Sequence, residues 1–329
     1  MKVMTKTKVW MLAILFISFF VVSCDTEDPV DVDEAKVLIE WMESTGNPAG
    51  KYYVNTDMGE YKTAAEVKTL MGADKVYLID IRKKVDFDAA HIDGAVNLTE
   101  AEVSAHIESN DLSAYSDIVI VCTSGQTAAW LTCLLNLEGH TNVSSMKWGM
   151  CSWNPATASA WNSNTNSSKA TFFTAEVTEK AAEGDLPTLK TGFETAPEIF
   201  DARMDAVIAE GFGAAAITVT DVYANPSNYY ILNYWPNDEY LAMKHIEGAI
   251  QYTPKTDIAL DAALKTLPTD KTIVVYCYTG QGSANLAAYL RLIGYDAKSL
   301  KYGANAMIHD QMTKSTWAAS HIQDYALVP

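Results

Sequence analysis

Two stretches of the chain share one pattern of apolar and polar positions. Ile118–Val121 is a continuous apolar run, followed by the loop Cys122-Thr123-Ser124-Gly125-Gln126-Thr127 and by a helix-like apolar stretch, Ala128–Leu137. The run Thr272–Tyr276, the loop Cys277-Tyr278-Thr279-Gly280-Gln281-Gly282 and the stretch Ala284–Ile293 repeat it. Gly125 aligns with Gly280, Gln126 with Gln281 and Gly139 with Gly294, all at an offset of 155. Upstream, His91-Ile92-Asp93-Gly94-Ala95 recurs as His245-Ile246-Glu247-Gly248-Ala249 at an offset of 154. Register held within one residue identifies a tandem duplication.

The runs feeding both loops, and Val76–Ile81 before them, are apolar on both faces, as strands of a covered parallel sheet are. Tyr229–Trp235 is the second-half counterpart of Val76–Arg82, with Asn233 in place of Asp80 and Trp235 in place of Arg82. Helical spacing predicts helices over Glu34–Ser44, over Thr63–Met71 and Thr99–Ser109 with capping boxes, over Ala196–Glu210 ending at Gly211, and over Asp257–Leu267. Strand and helix alternation predicts an α/β fold with a mostly parallel central sheet flanked by helices in each half. The Asn-, Ser- and Thr-rich stretch Asn154–Lys169 marks the weakest part of the chain, and Thr171–Thr178 reads as a strand or a simple crossing. These features divide the chain into a first domain at 34–160, a connection at 161–195 and a second domain at 196–329. Each half has enough residues to bury its own core.

The first residues alter the setting. Lys2, Lys6 and Lys8 precede an apolar run, Val9–Val22, that is short for a membrane span and is flanked as in a signal peptide. Val21-Val22-Ser23-Cys24 resembles a lipoprotein signal, which implies a leader at 1–23 and acylation of Cys24; an ordinary signal peptide or an uncleaved anchor is the alternative. Lipid on Cys24 places the protein in the cell envelope, held to a membrane outside the cytoplasm. Residues 24–33 then read as a solvated acidic tether. The formal charge of -17, from 41 acids against 24 basic residues, argues against nucleic acid and anionic lipid surfaces as partners. Small anionic substrates must be captured locally.

Four cysteines remain beyond Cys24. Cys122 and Cys277 each stand where backbone N–H groups converge at a helix start, a setting that binds anions and is expected to lower a thiol pKa. Cys133 falls in an apolar helical stretch and reads as core. Cys151 reads either as a packed free thiol or as a disulfide partner of Cys122.

The strand Leu78–Arg82, the turn His91–Ala95, the loop beginning at Cys122 and the segment Lys147-Trp148-Gly149 together resemble a rhodanese, or sulfurtransferase, domain, over about 60–155 and again 215–310. The resemblance implies two tandem rhodanese-like domains of the thiosulfate and 3-mercaptopyruvate sulfurtransferase kind. It implies a persulfide carried on Cys122 and Cys277, within loops formed by Thr123, Ser124, Gly125, Gln126 and Thr127 and by Tyr278, Thr279, Gly280, Gln281 and Gly282. It further implies a polar network of Asp80, Arg82 and His91 bracing the first loop, with His245 at the matching place in the second. The tandem family commonly lacks the first cysteine, whereas here both are present and the first brace is better preserved, which favours Cys122. The arginine found at the last loop position of many single-domain members is replaced by Thr127 and Gly282, which disfavours cysteine phosphatase and arsenate reductase chemistry. The expected reaction moves a sulfane sulfur from a small donor to a thiol or cyanide acceptor, with no metal or cofactor required. A membrane-anchored persulfide carrier or redox relay, and a non-catalytic binding module, are the alternatives. Which protein partner the chain would serve stays open.

Overall fold

The computed structural model describes residues 32–329. The leader, Cys24 and the tether up to residue 31 lie outside the described residues. The first half runs α1 (Glu34–Met42), α2 (Tyr53–Thr56), β1 (Tyr61–Lys62), α3 (Ala64–Gly72), β2 (Val76–Asp80), α4 (Lys84–Ala89), β3 (Val96–Asn97), α5 (Val103–Ser109), β4 (Asp117–Val121), α6 (Gln126–Leu137), β5 (Val143–Met146) and α7 (Ser159–Asn164). The second half runs β6 (Phe173–Thr174), α8 (Ala196–Ala214), β7 (Ala216–Ile217), α9 (Val219–Ala224), β8 (Tyr229–Asn233), α10 (Asn237–Ala242), β9 (His245–Ile246), β10 (Ile250–Gln251), β11 (Thr272–Tyr276), α11 (Gln281–Leu292) and β12 (Ala297–Leu300). The two main sheets, in the orders β1-β5-β4-β2-β3 and β7-β12-β11-β8-β10, match strand for strand and are parallel throughout. This is the mixed α/β architecture the patterning predicts.

Both capping boxes form, Thr63 with Glu66 and Thr99 with Glu102. One predicted helix does not. Asp257–Leu267 folds as successive turns with a single 3-10 turn at Leu264–Thr266. Its Leu260 N–H donates to the Glu43 carboxylate at 2.8 Å, so a side chain from the end of α1 takes a donor that a helix needs for its own ladder. The predicted end of α8 at Gly211 is a kink instead: Gly211 has φ 67°, the helix resumes for one more turn, and the Phe212 N–H donates to Glu100 of the first half at 3.2 Å.

Each half keeps an apolar cluster of its own, around Val67, Val119 and Trp153 in the first and around Val222, Val274 and Trp235 in the second, and the two also share a third. Eleven of the twelve residues of α6 and ten of the twelve of α11 are buried. A helix without a polar face must be covered all round, and these two pack against each other between the sheets. Trp130, Leu131 and Leu134 join Leu286, Tyr289 and Leu290 in one apolar cluster spanning both halves. At about 1.5–3 kcal/mol for each large side chain buried, separating the halves exposes far more than either can lose.

Each half also sends an arm across the other. Past α7 the chain crosses to the second half, where β6 pairs antiparallel with β9 and Thr178 bridges Ile250. At the C-terminus the Gln323 and Tyr325 N–H groups donate to Ser152 and Trp153 carbonyls, and Val328 exchanges two hydrogen bonds with His91. Among the described residues no helix is long and apolar enough to cross a membrane.

Candidate active site

Cys122 and Cys277 follow the middle strands β4 and β11, at the carboxyl ends where parallel sheets place their ligands. Each loop is shaped by the turn after the neighbouring strand. Met150 and Cys151 N–H groups donate to the Cys122 and Thr123 carbonyls at 2.9 and 3.2 Å; Ala304 and Asn305 do the same for Cys277 and Tyr278. With its carbonyls held outside, the loop turns N–H groups inward. Gly125 and Ala128 N–H groups lie 3.2 and 3.3 Å from the Cys122 Sγ, and the Ser283 N–H lies 3.2 Å from the Cys277 Sγ. The Cys277 thiol also faces the Ser283 hydroxyl at 3.7 Å. The close approach needs glycine: a Cβ on Gly149 would sit 2.3 Å from the Cys122 carbonyl oxygen, and one on Gly303 equally close to that of Cys277.

The expected lowering of the thiol pKa is overturned at Cys122. Burial pushes this thiol above its ordinary value, and the N–H groups of Ala128, Ser124 and Gly125 offset only part of that, with the charge of Asp80 adding to the rise. Cys122 is only 5 % exposed, so at this thiol desolvation outweighs the amide dipoles. Trp148, Trp161 and Trp317 form the cover beside the first loop, with ring centroids 4.6 to 5.7 Å apart. Trp161 Nε1 donates to the Ser124 carbonyl at 3.0 Å, and Trp317 comes from the second half's arm. Cys151 lies among these rings as a free thiol, pushed by burial to about 11, and Cys122 is free as well; no disulfide joins them. Cys133 is buried in the α6–α11 seam.

The loop glutamines face away from the sulfurs. Gln126 Oε1 accepts from the Tyr302 N–H at 2.7 Å, and Gln281 Oε1 accepts from the Trp148 N–H at 3.1 Å, each reaching the turn of the opposite half. Gln281 Nε2 adds a 3.4 Å bond to the Gly125 carbonyl. Each loop thus grips the rim of the other, so the two sites share one seam. Thr123 is exposed and Ser124 and Thr127 are half-buried, while Thr279 is buried with its hydroxyl accepting from the Gln281 N–H at 3.2 Å. Gly280 has φ 79°, and a Cβ there would meet Gln126 Oε1 at 2.4 Å.

Asp80 and Arg82 form a buried ion pair at 2.6 Å beside the first loop, and Arg82 also donates to the Ala90 carbonyl at 2.8 Å. In the second half the pair is replaced by stacking of Trp235 on Tyr278, centroids 4.8 Å apart at 8°. His91 Nδ1 lies 2.9 Å from the Phe87 carbonyl and His245 Nδ1 3.2 Å from that of Ile246; both rings stack on an aromatic neighbour, and both backbones pair with the incoming arms. Neither histidine hydrogen-bonds to a loop. Sequence reasoning missed the glutamine clasp, the tryptophan cover and Tyr61, which stands beside Cys277. Their partners are distant in sequence, and the only local signal is the repeated turn at Trp148-Gly149 and Tyr302-Gly303. Among the described residues no three or more His, Cys, Asp or Glu side chains gather as metal ligands would.

A family model for the rhodanese-like domain matches residues 63–156 and again 218–323, well over half of the chain. The chain belongs to the rhodanese-like family. One relative is the thiosulfate sulfurtransferase GlpE of Shewanella oneidensis, 34 % identical over 89 residues that make up 26 % of this chain and 83 % of that protein. Among solved structures, the rhodanese-like pair is similar to SseA from Escherichia coli, in a study of 3-mercaptopyruvate sulfotransferases, at 19 % identity and a TM-score of 0.27, covering 72 % of this chain and 98 % of that one. It is also similar to a thiosulfate sulfurtransferase from Pseudomonas aeruginosa, at 16 % identity and a TM-score of 0.27, covering 87 % and 70 %.

Proposed function

We propose that this tandem rhodanese-like protein is a sulfurtransferase that carries sulfane sulfur as a persulfide on Cys122 and Cys277. The observation that carries the reading is the doubled geometry: two sulfurs, each at the end of a middle strand and each approached by loop N–H groups. Such an arrangement stabilises a sulfur anion by fixed dipoles before and after transfer. The thiolate attacks the outer sulfur of thiosulfate or the thiol sulfur of 3-mercaptopyruvate, a new S–S bond forms, and the donor's S–S or C–S bond breaks with its electron pair leaving on sulfite or pyruvate enolate. A thiol or cyanide acceptor then removes the outer sulfur and regenerates the thiolate.

A second reading, a membrane-anchored persulfide carrier or redox relay, draws support from the near-complete burial of both cysteines, which shields a loaded persulfide. Lipid on Cys24, with the domains outside the cytoplasm, belongs to the proposal. Thiosulfate-to-cyanide transfer by the full chain and by its Cys122→Ala, Cys277→Ala and doubly substituted forms tests it. Turnover that disappears only in the double variant is expected, with Cys122 contributing the larger share. Stable loading without turnover selects the carrier, and turnover retained in the double variant refutes both.

A further inference from the structure

The two loops differ at their sixth position, and the difference is filled from the other domain. Thr127 stands there in the first loop, whereas Gly282 in the second brings no side chain. A Cβ at Gly282 would lie 3.5 Å from the Cys277 Sγ and 3.7 Å from the hydroxyl of Tyr61, both ordinary contacts. Tyr61 belongs to β1, in the first half. The matching place in the second sheet is taken by Ala216, since Tyr61 pairs with Ser145 as Ala216 pairs with Ser299. At the sixth position the first loop therefore has a hydroxyl and the second has none, and at the matching sheet position the second half has an alanine where the first half has Tyr61.

The direction of the Tyr61 proton follows from its neighbour. Asn285 Nδ2 donates to the Tyr61 oxygen at 3.1 Å and to the Gln281 carbonyl at 3.1 Å. A carbonyl only accepts, so the amide cannot be turned over and Tyr61 must be the acceptor of this bond. Its own O–H finds no acceptor among the described residues. Burial, and next the nearby Cys277 sulfur, hold the Tyr61 pKa well above the ordinary tyrosine value, which keeps the proton in place.

We propose that Tyr61 serves the second site across the domain interface, donating a hydrogen bond to the outer sulfur of a persulfide on Cys277. The proposal rests on the sulfurtransferase reading and names one of its ligand-binding groups. The outer sulfur stands about 2 Å beyond Sγ, and directed toward the side-chain-free face of Gly282, which lies between the Cys277 Sγ and the Tyr61 hydroxyl, it enters the reach of that hydroxyl. No proton is transferred: thiolate and thiosulfate give persulfide anion and sulfite, and the hydroxyl stabilises the anion on the enzyme side.

Thiosulfate loading followed by intact mass measures this in full-length protein, with Cys122→Ala reporting on Cys277 alone and Cys277→Ala on Cys122 alone. Tyr61→Phe keeps the ring and its packing. It is expected to slow loading at Cys277 about tenfold to hundredfold, the span of a hydrogen bond to a charged acceptor, and to leave the rate at Cys122 in place. Gly282→Ser puts a hydroxyl at the same point on ordinary helical backbone and is expected to restore the rate in the Tyr61→Phe protein. Unchanged loading at Cys277, equal slowing at both cysteines, or slowing that serine does not relieve overturns the proposal while the sulfurtransferase reading stands. A parent protein that loads at neither cysteine overturns both.

Discussion

Replacing Gln126 with alanine perturbs a loop of the first domain, yet its clearest effect is expected in the second. The substitution removes the 2.7 Å acceptor of the Tyr302 N–H and the 3.0 Å bond from Gln126 Nε2 to the Ser124 hydroxyl. A buried donor left unpaired costs roughly 1–3 kcal/mol, and the space vacated by the amide adds to it, so a loss of about 2 kcal/mol is expected. Gln281→Ala, which frees the Trp148 N–H and the Gly125 carbonyl, should cost a similar amount. Because the two side chains occupy one seam, the double variant should depart from additivity by roughly 0.5 kcal/mol or more. Urea unfolding followed by tryptophan fluorescence gives the stabilities, and thiosulfate loading of each cysteine gives the consequence at the sites. Gln126→Ala should slow loading at Cys277 although Gln126 lies in the other loop. A change below about 0.5 kcal/mol, additive in the double variant and without effect at Cys277, would refute the clasp.

Other outcomes follow from particular contacts. Gly149→Ala sets a Cβ 2.3 Å from the Cys122 carbonyl oxygen and 2.5 Å from the Gly125 nitrogen, so loading at Cys122 should be lost; Gly192→Ala, with φ 81° but open space around it, should cost only about 1–2 kcal/mol. Glu138 is pushed by burial to about 7, with Glu108, Asp201 and Asp205 adding to the rise. Its folded pKa lies above its unfolded value, so its relative stabilisation is full below about pH 4.5 and is lost as the pH climbs to 7. Glu138→Gln should therefore raise stability by about 2–3 kcal/mol at pH 8 and by little at pH 4.5, measured by urea midpoints at both. Alkylation of Cys122 in the Cys277→Ala protein should keep rising with pH past 9, because burial holds the thiol up; a plateau below pH 7 would contradict that balance.

Much of the scaffold was legible because its signals are local. β2, β4, β8 and β11 are short apolar runs buried by the sheet that contains them, and Thr63 and Thr99 meet their own glutamates three residues on. The two loops stood out because the duplication repeats them. What was hidden depends on partners far along the chain. Nothing near Asp257 announces that Glu43 will take the Leu260 N–H, and nothing near Gln126 announces Tyr302. Nothing in the sequence singles out Tyr61 until the fold sets it beside Asn285, 224 positions later. The strand read at Thr171–Thr178 is β6, but its partner β9 was not foreseen, and the arm around Val328 makes main-chain bonds, which leave almost no side-chain signature. The pKa of Cys122 was misjudged for a related reason: amide dipoles can be read from a loop, but the burial that desolvates the sulfur comes from a cluster assembled from both halves of the chain.

The most direct test is intact-mass spectrometry of the full chain and its single-cysteine variants after exposure to thiosulfate. One added sulfur atom on each of the Cys122→Ala and Cys277→Ala proteins, two on the parent and none on the double variant, is the predicted result. A parent protein whose mass stays unchanged would contradict the assignment of both sulfurs as persulfide carriers.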